Sequence, residues 1–327
     1  MQPSSDAPTP PPPFDRDSFR RLLHARVLGR KIEHHEITPS TMTLADELVR
    51  REGSAAHGTV IVADSQSGGV GRRGRSWLSP PMGNLYFSLV WSPPGLDANA
   101  GPAALLPQLT QLNLATSVAV ARAAAVAGVS SARIKWPNDV WAGAPESRKM
   151  SGSILNFDGK TAAVLGVGIN VLQDMGPNAT ATSIATELRR QRETHDANGS
   201  PEEARAVEAV APSATVREAV LAAFCVELER LMTLSIDAVL EEYRHYDLLR
   251  GRTIRVHHKT REESDPSDFD AEALGVSAGG MLRVRPLVGG GVRELSGEEV
   301  SISPLHLTAA PTTTTAASDP GASCAPA

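Results

Sequence analysis

Residues 65–80 read SQSGGVGRRGRSWLSP and directly follow the apolar, strand-like run TVIVAD at residues 59–64. The stretch combines glycines, arginines and one tryptophan, at Gly68, Gly69, Gly71, Gly74, Arg72, Arg73, Arg75 and Trp77. Glycines let a backbone approach a ligand closely, because they carry no Cβ and adopt left-handed dihedral angles. Arginine forks match phosphate oxygens, and an indole face suits a purine ring. The stretch therefore predicts a loop that binds a nucleotide with a second anion beside it.

Two alternative interpretations apply to this loop when it is taken alone. The glycines at 69, 71 and 74 spell the GxGxxG dinucleotide-binding fingerprint, which requires a helix after the strand to hold the pyrophosphate. Residues 80 and 81 are both proline, so a helix there is disfavoured and we reject that interpretation. A glycine-rich surface loop with a solvated charge run stays open as the simpler alternative.

The composition is that of an ordinary globular protein, with 41% hydrophobic and 21% charged residues in 327. A net charge of −5 argues against a general nucleic-acid or membrane-surface binder. No apolar run approaches the roughly 18–20 residues that cross a bilayer. The two cysteines, Cys225 and Cys324, give neither a disulfide framework nor a metal-binding spacing, which fits a reducing compartment. We expect a cytoplasmic protein without membrane contact, and an organellar form stays open.

Composition also divides the chain. Residues 1–20 are rich in proline and residues 308–327 in threonine and alanine, and both predict disordered tails. A polar stretch at 187–214 predicts a surface excursion. Residues 21–249 alternate helical and strand-like patterns and predict one α+β domain. Short alternating strands with glycine turns at 250–307 predict a small β-barrel.

Three further motifs place polar or cationic residues beside strand-like runs. In KWPND (135–139) the proline fixes its own φ and favours an extended backbone at the tryptophan before it. The motif alone is equally compatible with a binding role and with a purely structural turn. RKMSG (148–152) puts a lysine near a glycine at a strand, and an exposed loop lysine is the simpler interpretation of that segment alone. GVGIN (166–170) would let a ligand lie against a strand end, or marks a tight strand crossing.

Together with PSTM (39–42) and the loop pattern QxxGxGRxGRxW (66–77), these three motifs resemble, in this order, the catalytic core of biotin protein ligases. The joint pattern is specific, whereas each piece alone is not. The resemblance covers roughly residues 32–307. It implies a class II synthetase-like biotin/lipoate ligase core, namely a mixed sheet with flanking helices, followed by an SH3-like β-barrel at the C-terminus.

The resemblance implies roles for the matching positions. The biotin side would be formed by Ser40, Thr41, Gln66, Gly69, Lys149, Gly152 and Gly168. The nucleotide side would be formed by Arg72, Arg73, Arg75, Trp77, Lys135, Asn138, Asp139 and Asn170. Lys149, which would contact both the biotin carboxylate and the phosphate, and Arg72 are the candidate catalytic residues. No dedicated metal site is implied, because Mg²⁺ would enter with ATP, and Asp139 is its candidate ligand.

The implied activity is ATP-dependent ligation with ATP, biotin and Mg²⁺. Biotin would be activated as biotinyl-5'-AMP and passed to a lysine of carboxyl-carrier domains, of the acetyl-CoA carboxylase and pyruvate carboxylase type. Cations would offset the repulsion between the biotin carboxylate and the α-phosphate. Met42 and Val70 depart from the common bacterial pattern, and Val70 replaces a loop arginine. A monomer or a homodimer is compatible with the resemblance.

Three rival functions remain at this stage. A lipoate or octanoate ligase of the same fold would need a long apolar tunnel, whereas Ser40, Thr41 and Gln66 offer polar partners. A biotin-sensing repressor would need a DNA-binding module ahead of the core, where the sequence is short and Pro-rich, so no DNA binding is expected. A non-catalytic nucleotide-binding module would be favoured by loss of Lys149, which is present. The pairs His34–His35 and His257–His258 are interpreted as surface residues.

Overall fold

The computed structural model describes residues 11–81, 83–92, 105–143, 147–157, 162–174, 180–198, 215–258, 268–297 and 300–304. Its helices are α1 (Arg16–Leu22), α2 (Thr41–Glu52), α3 (Leu106–Val126), α4 (Ile184–Asn198), α5 (Val216–Leu231) and α6 (Ile236–Tyr246). Its strands are β1 (Ile32–Thr38), β2 (Val60–Gln66), β3 (Leu85–Trp91), β4 (Arg133–Lys135), β5 (Asp139–Ala142), β6 (Arg148–Phe157), β7 (Ala163–Ile169), β8 (Thr253–His258), β9 (Phe269–Val276), β10 (Leu282–Pro286), β11 (Arg293–Leu295) and β12 (Val300–Pro304).

A seven-stranded sheet in the order β1-β2-β3-β7-β6-β5-β4 forms the centre of the large domain. The pair β1–β2 is parallel and the other pairs are antiparallel, so the predicted mixed sheet with flanking helices is confirmed. Every residue of β3 and β7 is buried, because helices cover both faces of the sheet. Helix α2 packs on one face, while α3 and α5 pack on the other.

Two helix ends follow the local sequence. Helix α2 follows Ser40, whose side chain accepts a hydrogen bond from the backbone N–H of Met42 and caps the helix. Helix α3 ends just before Gly128, which has φ +92° and leaves the helical conformation at little cost. These ends matter for the site, because the first turn of α2 lines the cavity described below.

The predicted disorder of residues 1–20 is wrong for residues 14–20. Helix α1 begins after Asp15, whose carboxylate accepts hydrogen bonds from the backbone N–H groups of Asp17 and Ser18. Phe14 and Phe19 are 4% and 0% exposed and belong to the main core. Two aromatic anchors therefore order a segment whose composition is dominated by proline. Residues 1–10 lie outside the described part of the chain.

The predicted surface excursion at 187–214 is likewise wrong in its first part. Helix α4 covers residues up to Asn198, and Glu187 and Leu188 are buried in it. The sequence analysis did not predict this helix, because few of its residues are buried and one of them, Glu187, is a carboxylate. Residues 199–214 lie outside the described residues, as does the predicted C-terminal tail at 308–327.

The C-terminal strands form a five-stranded antiparallel sheet in the order β11-β10-β9-β8-β12. The predicted closed barrel is not confirmed, because in the described residues the edge strands β11 and β12 pair with β10 and β8 and not with each other. The sheet contacts the large domain through Trp136, whose Nε1 donates a 3.0 Å hydrogen bond to the Gly280 carbonyl. None of the described helices is long and apolar enough to cross a membrane.

Candidate active site

A cavity of about 650 Å³ lies where the β2–β3 loop, the β4–β5 turn, β6, β7 and β12 meet. All the site residues predicted from the sequence line it except Gly69. The lining carries one carboxylate, Asp139, and five cations: Arg72, Arg73, Arg75, Lys135 and Lys149. Such an excess of positive charge in a concave site suits a ligand with several anionic groups.

Lys149 and Asp139 form an ion pair in the floor of this cavity. Lys149 lies on β6 and Asp139 begins β5, and the Nζ–Oδ1 distance is 2.8 Å. A Cβ at residue 152 would come 3.2 Å from both groups, so Gly152 keeps the space that the pair occupies. The ammonium also lies 5.3 Å from the centre of the Trp77 ring, within the range of a cation–π contact.

Lys135 is the second cation of the floor. Its Nζ lies 4.6 Å from the centre of the Trp141 ring. Burial lowers the pKa of Lys135, opposed by the nearby Asp139 carboxylate and assisted by the cations Lys149 and Arg75. An anionic ligand would strengthen the charged form of this lysine, because opposite charge favours ionisation.

Gly166 and Gly168 in β7 make room for protein side chains. A Cβ at 168 would lie 2.5 Å from the Trp77 indole, and one at 166 would lie 2.6 Å from the Met42 sulfur. The two glycines therefore seat an aromatic ring and a thioether against the strand. The indole Nε1 is buried and has no hydrogen-bond partner among the described residues, so it can donate to a ligand.

Two of the residues predicted for the biotin side, Thr41 and Gln66, belong to one hydrogen-bonded cluster. The Gln66 side-chain oxygen accepts from the backbone N–H of Thr41 at 2.9 Å, and its Nε2 donates to Ser79 Oγ at 2.9 Å. Thr41 Oγ1 lies 2.9 Å from Ser88 Oγ. Ser79 and Ser88 were missed by the sequence analysis, because Ser79 stands among the more distinctive glycines and arginines of the loop and Ser88 is a lone serine in the apolar strand β3. The cluster fixes polar groups at the end of the cavity formed by α2 and β2.

The arginine loop is held against the C-terminal sheet. Arg72 donates to Asn138 Oδ1 at 2.9 Å and to the Gly297 carbonyl at 2.8 Å. Arg73 donates to the carbonyls of Gly297 and Val300 at 2.9 and 2.6 Å. The carbonyl oxygens of the small sheet therefore position the two arginines at the cavity mouth.

Gly69 lies within the body of the loop and does not line the cavity. The Trp77 backbone N–H donates to the Gly69 carbonyl at 2.8 Å, and a Cβ at 69 would come 2.4 Å from the Trp77 carbonyl oxygen. This glycine therefore allows the two sides of the loop to approach each other.

One histidine departs from its predicted surface position. His34 Nε2 lies 2.7 Å from Asp64 Oδ2, and the His34 side chain is 14% exposed. Asp64 Oδ1 also accepts from Arg217 and from the backbone N–H of Phe14. The interpretation of His34 as a surface residue is therefore wrong, because this network anchors the N-terminal segment. His257 lies 2.8 Å from Asp268 and is partly exposed.

The described ranges contain no group of three or more His, Cys, Asp or Glu side chains that could hold a metal ion. Mg²⁺ is commonly bound by one or two carboxylates together with substrate phosphates. The single carboxylate of the cavity, Asp139, fits that arrangement with ATP and does not form a site by itself.

Residues 35–174 match the biotin/lipoate A/B protein ligase family. The bifunctional ligase/repressor BirA of Escherichia coli is 32% identical over 193 residues, which cover 52% of this chain and 56% of that protein. The biotin–[acetyl-CoA-carboxylase] ligase of Mycobacterium tuberculosis is 33% identical over 178 residues, covering 52% of this chain and 62% of the relative. The chain thus spans about half the length of the curated relatives it matches.

Among solved structures, the biotin protein ligase of Aquifex aeolicus in complex with biotin and ATP is similar with a TM-score of 0.55. The similarity covers 84% of this chain and 100% of that chain at 23% identity. At this identity the likeness establishes the fold alone.

Proposed function

Because residues 35–174 match the biotin/lipoate A/B protein ligase family, we propose that this protein is a biotin protein ligase. It activates biotin with ATP and transfers it to a lysine of carboxyl-carrier domains, as in carboxylases of the acetyl-CoA and pyruvate type. The observation that carries the proposal is one cavity lined both by Lys149 with four other cations and by Thr41 and Gln66, which are hydrogen-bonded to each other.

The cations explain how two anions react. In the first step a biotin carboxylate oxygen attacks the α-phosphorus of ATP, and the bond to the departing pyrophosphate breaks. We assign Lys149 and Arg72 to stabilising the negative charge that develops around this phosphorus in the transition state. Cationic groups that are already in position there lower the activation barrier. The five cations also offset the repulsion between the carboxylate and the phosphates.

In the second step the carrier lysine amine attacks the acyl carbon of biotinyl-AMP. The C–O bond to AMP breaks, and the amine loses a proton as the amide forms. This step needs no protein nucleophile. It requires protection of the mixed anhydride from water, which we assign to the loop that Arg72 and Arg73 hold over the cavity mouth.

The remaining roles follow from position in the cavity. Thr41 and Gln66 supply polar partners for the ureido ring of biotin, together with Ser40. Trp77, Lys135, Asn138 and Asn170 are assigned to the nucleotide, and Arg75 to its phosphates. Mg²⁺ would be held by Asp139 and the phosphates, and it would supply neutralisation of phosphate charge. A cytoplasmic site of action, as a monomer or a homodimer, is part of the proposal.

The test is transfer to a carrier domain. The protein is incubated with ATP, Mg²⁺ and an acetyl-CoA carboxylase carrier domain in three parallel reactions, which contain biotin, lipoate or octanoate. The mass of the carrier domain is then measured by mass spectrometry. We expect addition of biotin alone, and no addition to a carrier whose target lysine is replaced by arginine. Addition of lipoate or octanoate in place of biotin would establish the rival ligase of the same fold.

A further inference from the structure

Asn170 lies at the end of β7 with its side-chain amide in a defined orientation. Its Nδ2 donates to the Thr182 carbonyl at 3.1 Å. A carbonyl oxygen can only accept, so the amide nitrogen must face it whatever the assignment of the two amide atoms. The Asn170 side chain lines the cavity, and the orientation therefore leaves Oδ1 as the acceptor available there.

Thr182 is held by both backbone and side-chain bonds. Its backbone N–H donates to the Lys149 carbonyl at 2.8 Å, and its hydroxyl donates to Glu187 Oε1. Thr182 is fully buried. The same residue therefore touches the strand that carries Lys149 and the side chain of Asn170.

Glu187 anchors this threonine from the first turns of α4. Its carboxylate is 3% exposed and also accepts from Arg190 at 3.0 Å. Burial raises the pKa of Glu187, and the Thr182 hydroxyl bond opposes that shift. Hydrogen bonds to a buried carboxylate are strong, and leaving one unmade is costly. The pair therefore resists rotation of the Thr182 side chain.

We propose that Thr182 and Glu187 are positioning residues, which act through Asn170 to select a nucleotide whose base carries an amino group. This inference rests on the proposed function. The adenine 6-amino group is a donor and fits Asn170 Oδ1, whereas the 6-oxo group of hypoxanthine is an acceptor and would face that oxygen with like partial charge. The segment TATSIATE at 180–187 is thus part of the nucleotide side although it contains none of the motif residues.

The test compares substitutions that change one group. Thr182→Val removes the hydroxyl at similar shape, and Thr182→Ser restores it. Thr194→Val is the matched control, because the Thr194 hydroxyl donates to the Arg190 carbonyl on the exposed side of α4, the helix that carries Glu187. Binding of ATP, inosine triphosphate and biotin is measured by calorimetry, and KM and kcat are measured for adenylate formation.

For Thr182→Val we expect about tenfold weaker ATP binding and a similar loss of preference for ATP over inosine triphosphate, the size of one hydrogen bond. Biotin affinity and kcat should change by less than about twofold, because the variant removes no hydrogen bond to biotin or to the reacting atoms. Glu187→Gln keeps an acceptor oxygen without the charge and should weaken ATP binding by about threefold. Thr182→Ser and Thr194→Val should bind both nucleotides as the wild type does.

Equal losses of ATP, inosine triphosphate and biotin binding in Thr182→Val would overturn the inference, because they would indicate a general structural role. Unchanged ATP binding in that variant would overturn it as well. The binding measurements need no turnover. They therefore test this inference separately from the proposed function, which fails if the wild type binds both substrates and forms no biotinyl-AMP.

Discussion

Lys149 Nζ lies 2.8 Å from Asp139 Oδ1, across the antiparallel pair of β5 and β6. The two side chains are 32% and 21% exposed, so the pair adds little to folding stability. Its consequence is positional, because the carboxylate holds the flexible lysine over Gly152 at the cavity floor. Because the pair is partly exposed, we expect Lys149 to exchange this carboxylate for an anion of the ligand.

Lys149→Ala should lower the rate of biotinyl-adenylate formation by about 10²–10³, the range measured for removal of one transition-state donor. Lys31→Ala is the control, since the Lys31 side chain is exposed and, among the described residues, its ammonium donates to the Ala55 carbonyl at 3.0 Å. Single-turnover formation of the adenylate gives the rate. A variant as fast as the wild type would remove Lys149 from the catalytic residues.

Arg72→Gly should weaken retention of biotinyl-AMP. The substitution deletes the bonds to Asn138 and to the Gly297 carbonyl, so the loop is less firmly held against the C-terminal sheet. The reactive intermediate should then escape and label lysines of an unrelated protein such as albumin. Labelling is followed with a streptavidin blot, with ATP omitted as the control. Labelling no greater than that by the wild type would count against this role of the loop.

Phe14→Ala should lower the free energy of unfolding by about 3 kcal/mol, because a buried phenylalanine is replaced by a cavity. Leu22 is 39% exposed, so Leu22→Ala is the control. It should lower the free energy of unfolding by less than about 1 kcal/mol, as surface substitutions usually do. Urea unfolding measures both. A Phe14 variant as stable as the wild type would indicate that the N-terminal segment does not pack as described.

Glu187 should make stability depend on pH in a definite direction. Burial raises the pKa of this carboxyl above its ordinary value of 4.5. The folded protein therefore binds more protons than the unfolded chain as the pH rises above 4.5, and stability falls through that window. Relative to Glu187→Gln, the wild type should lose unfolding free energy from about pH 4.5 upward, as followed by urea unfolding. A difference that is constant with pH would contradict the raised pKa.

The motif residues converge because the sheet brings β7 and β6 beside β3. Lys135, Asp139 and Lys149 come from the three adjacent strands β4, β5 and β6, whereas the loop motif follows β2. Their grouping in one site was predicted from the resemblance of the combined motifs, because strand patterns alone do not give the order of strands in a sheet. The sequence could not show that Arg72 and Arg73 bond carbonyls of residues 297 and 300. Those partners are backbone atoms far along the chain, and backbone acceptors carry no sequence signal.

Composition was misleading where a few residues decide the structure. Phe14 and Phe19 order a Pro-rich segment, and buried Glu187 lies in a helix whose polar residues suggested a loop. Ser183 bonds the backbone N–H of Thr186 at the start of α4, and that helix-start signal was present in the sequence. The open order of the small sheet was not predictable, because alternation does not reveal which edge strands pair.

The most direct measurement is exchange of labelled pyrophosphate into ATP, with biotin, lipoate and octanoate compared at equal concentration. Exchange reports reversible attack of a carboxylate on the α-phosphorus, before any carrier protein is involved. The proposed function predicts exchange that depends on biotin and is lost in Lys149→Ala. Exchange that lipoate or octanoate supports and biotin does not, or biotin-dependent exchange undiminished in Lys149→Ala, would contradict it.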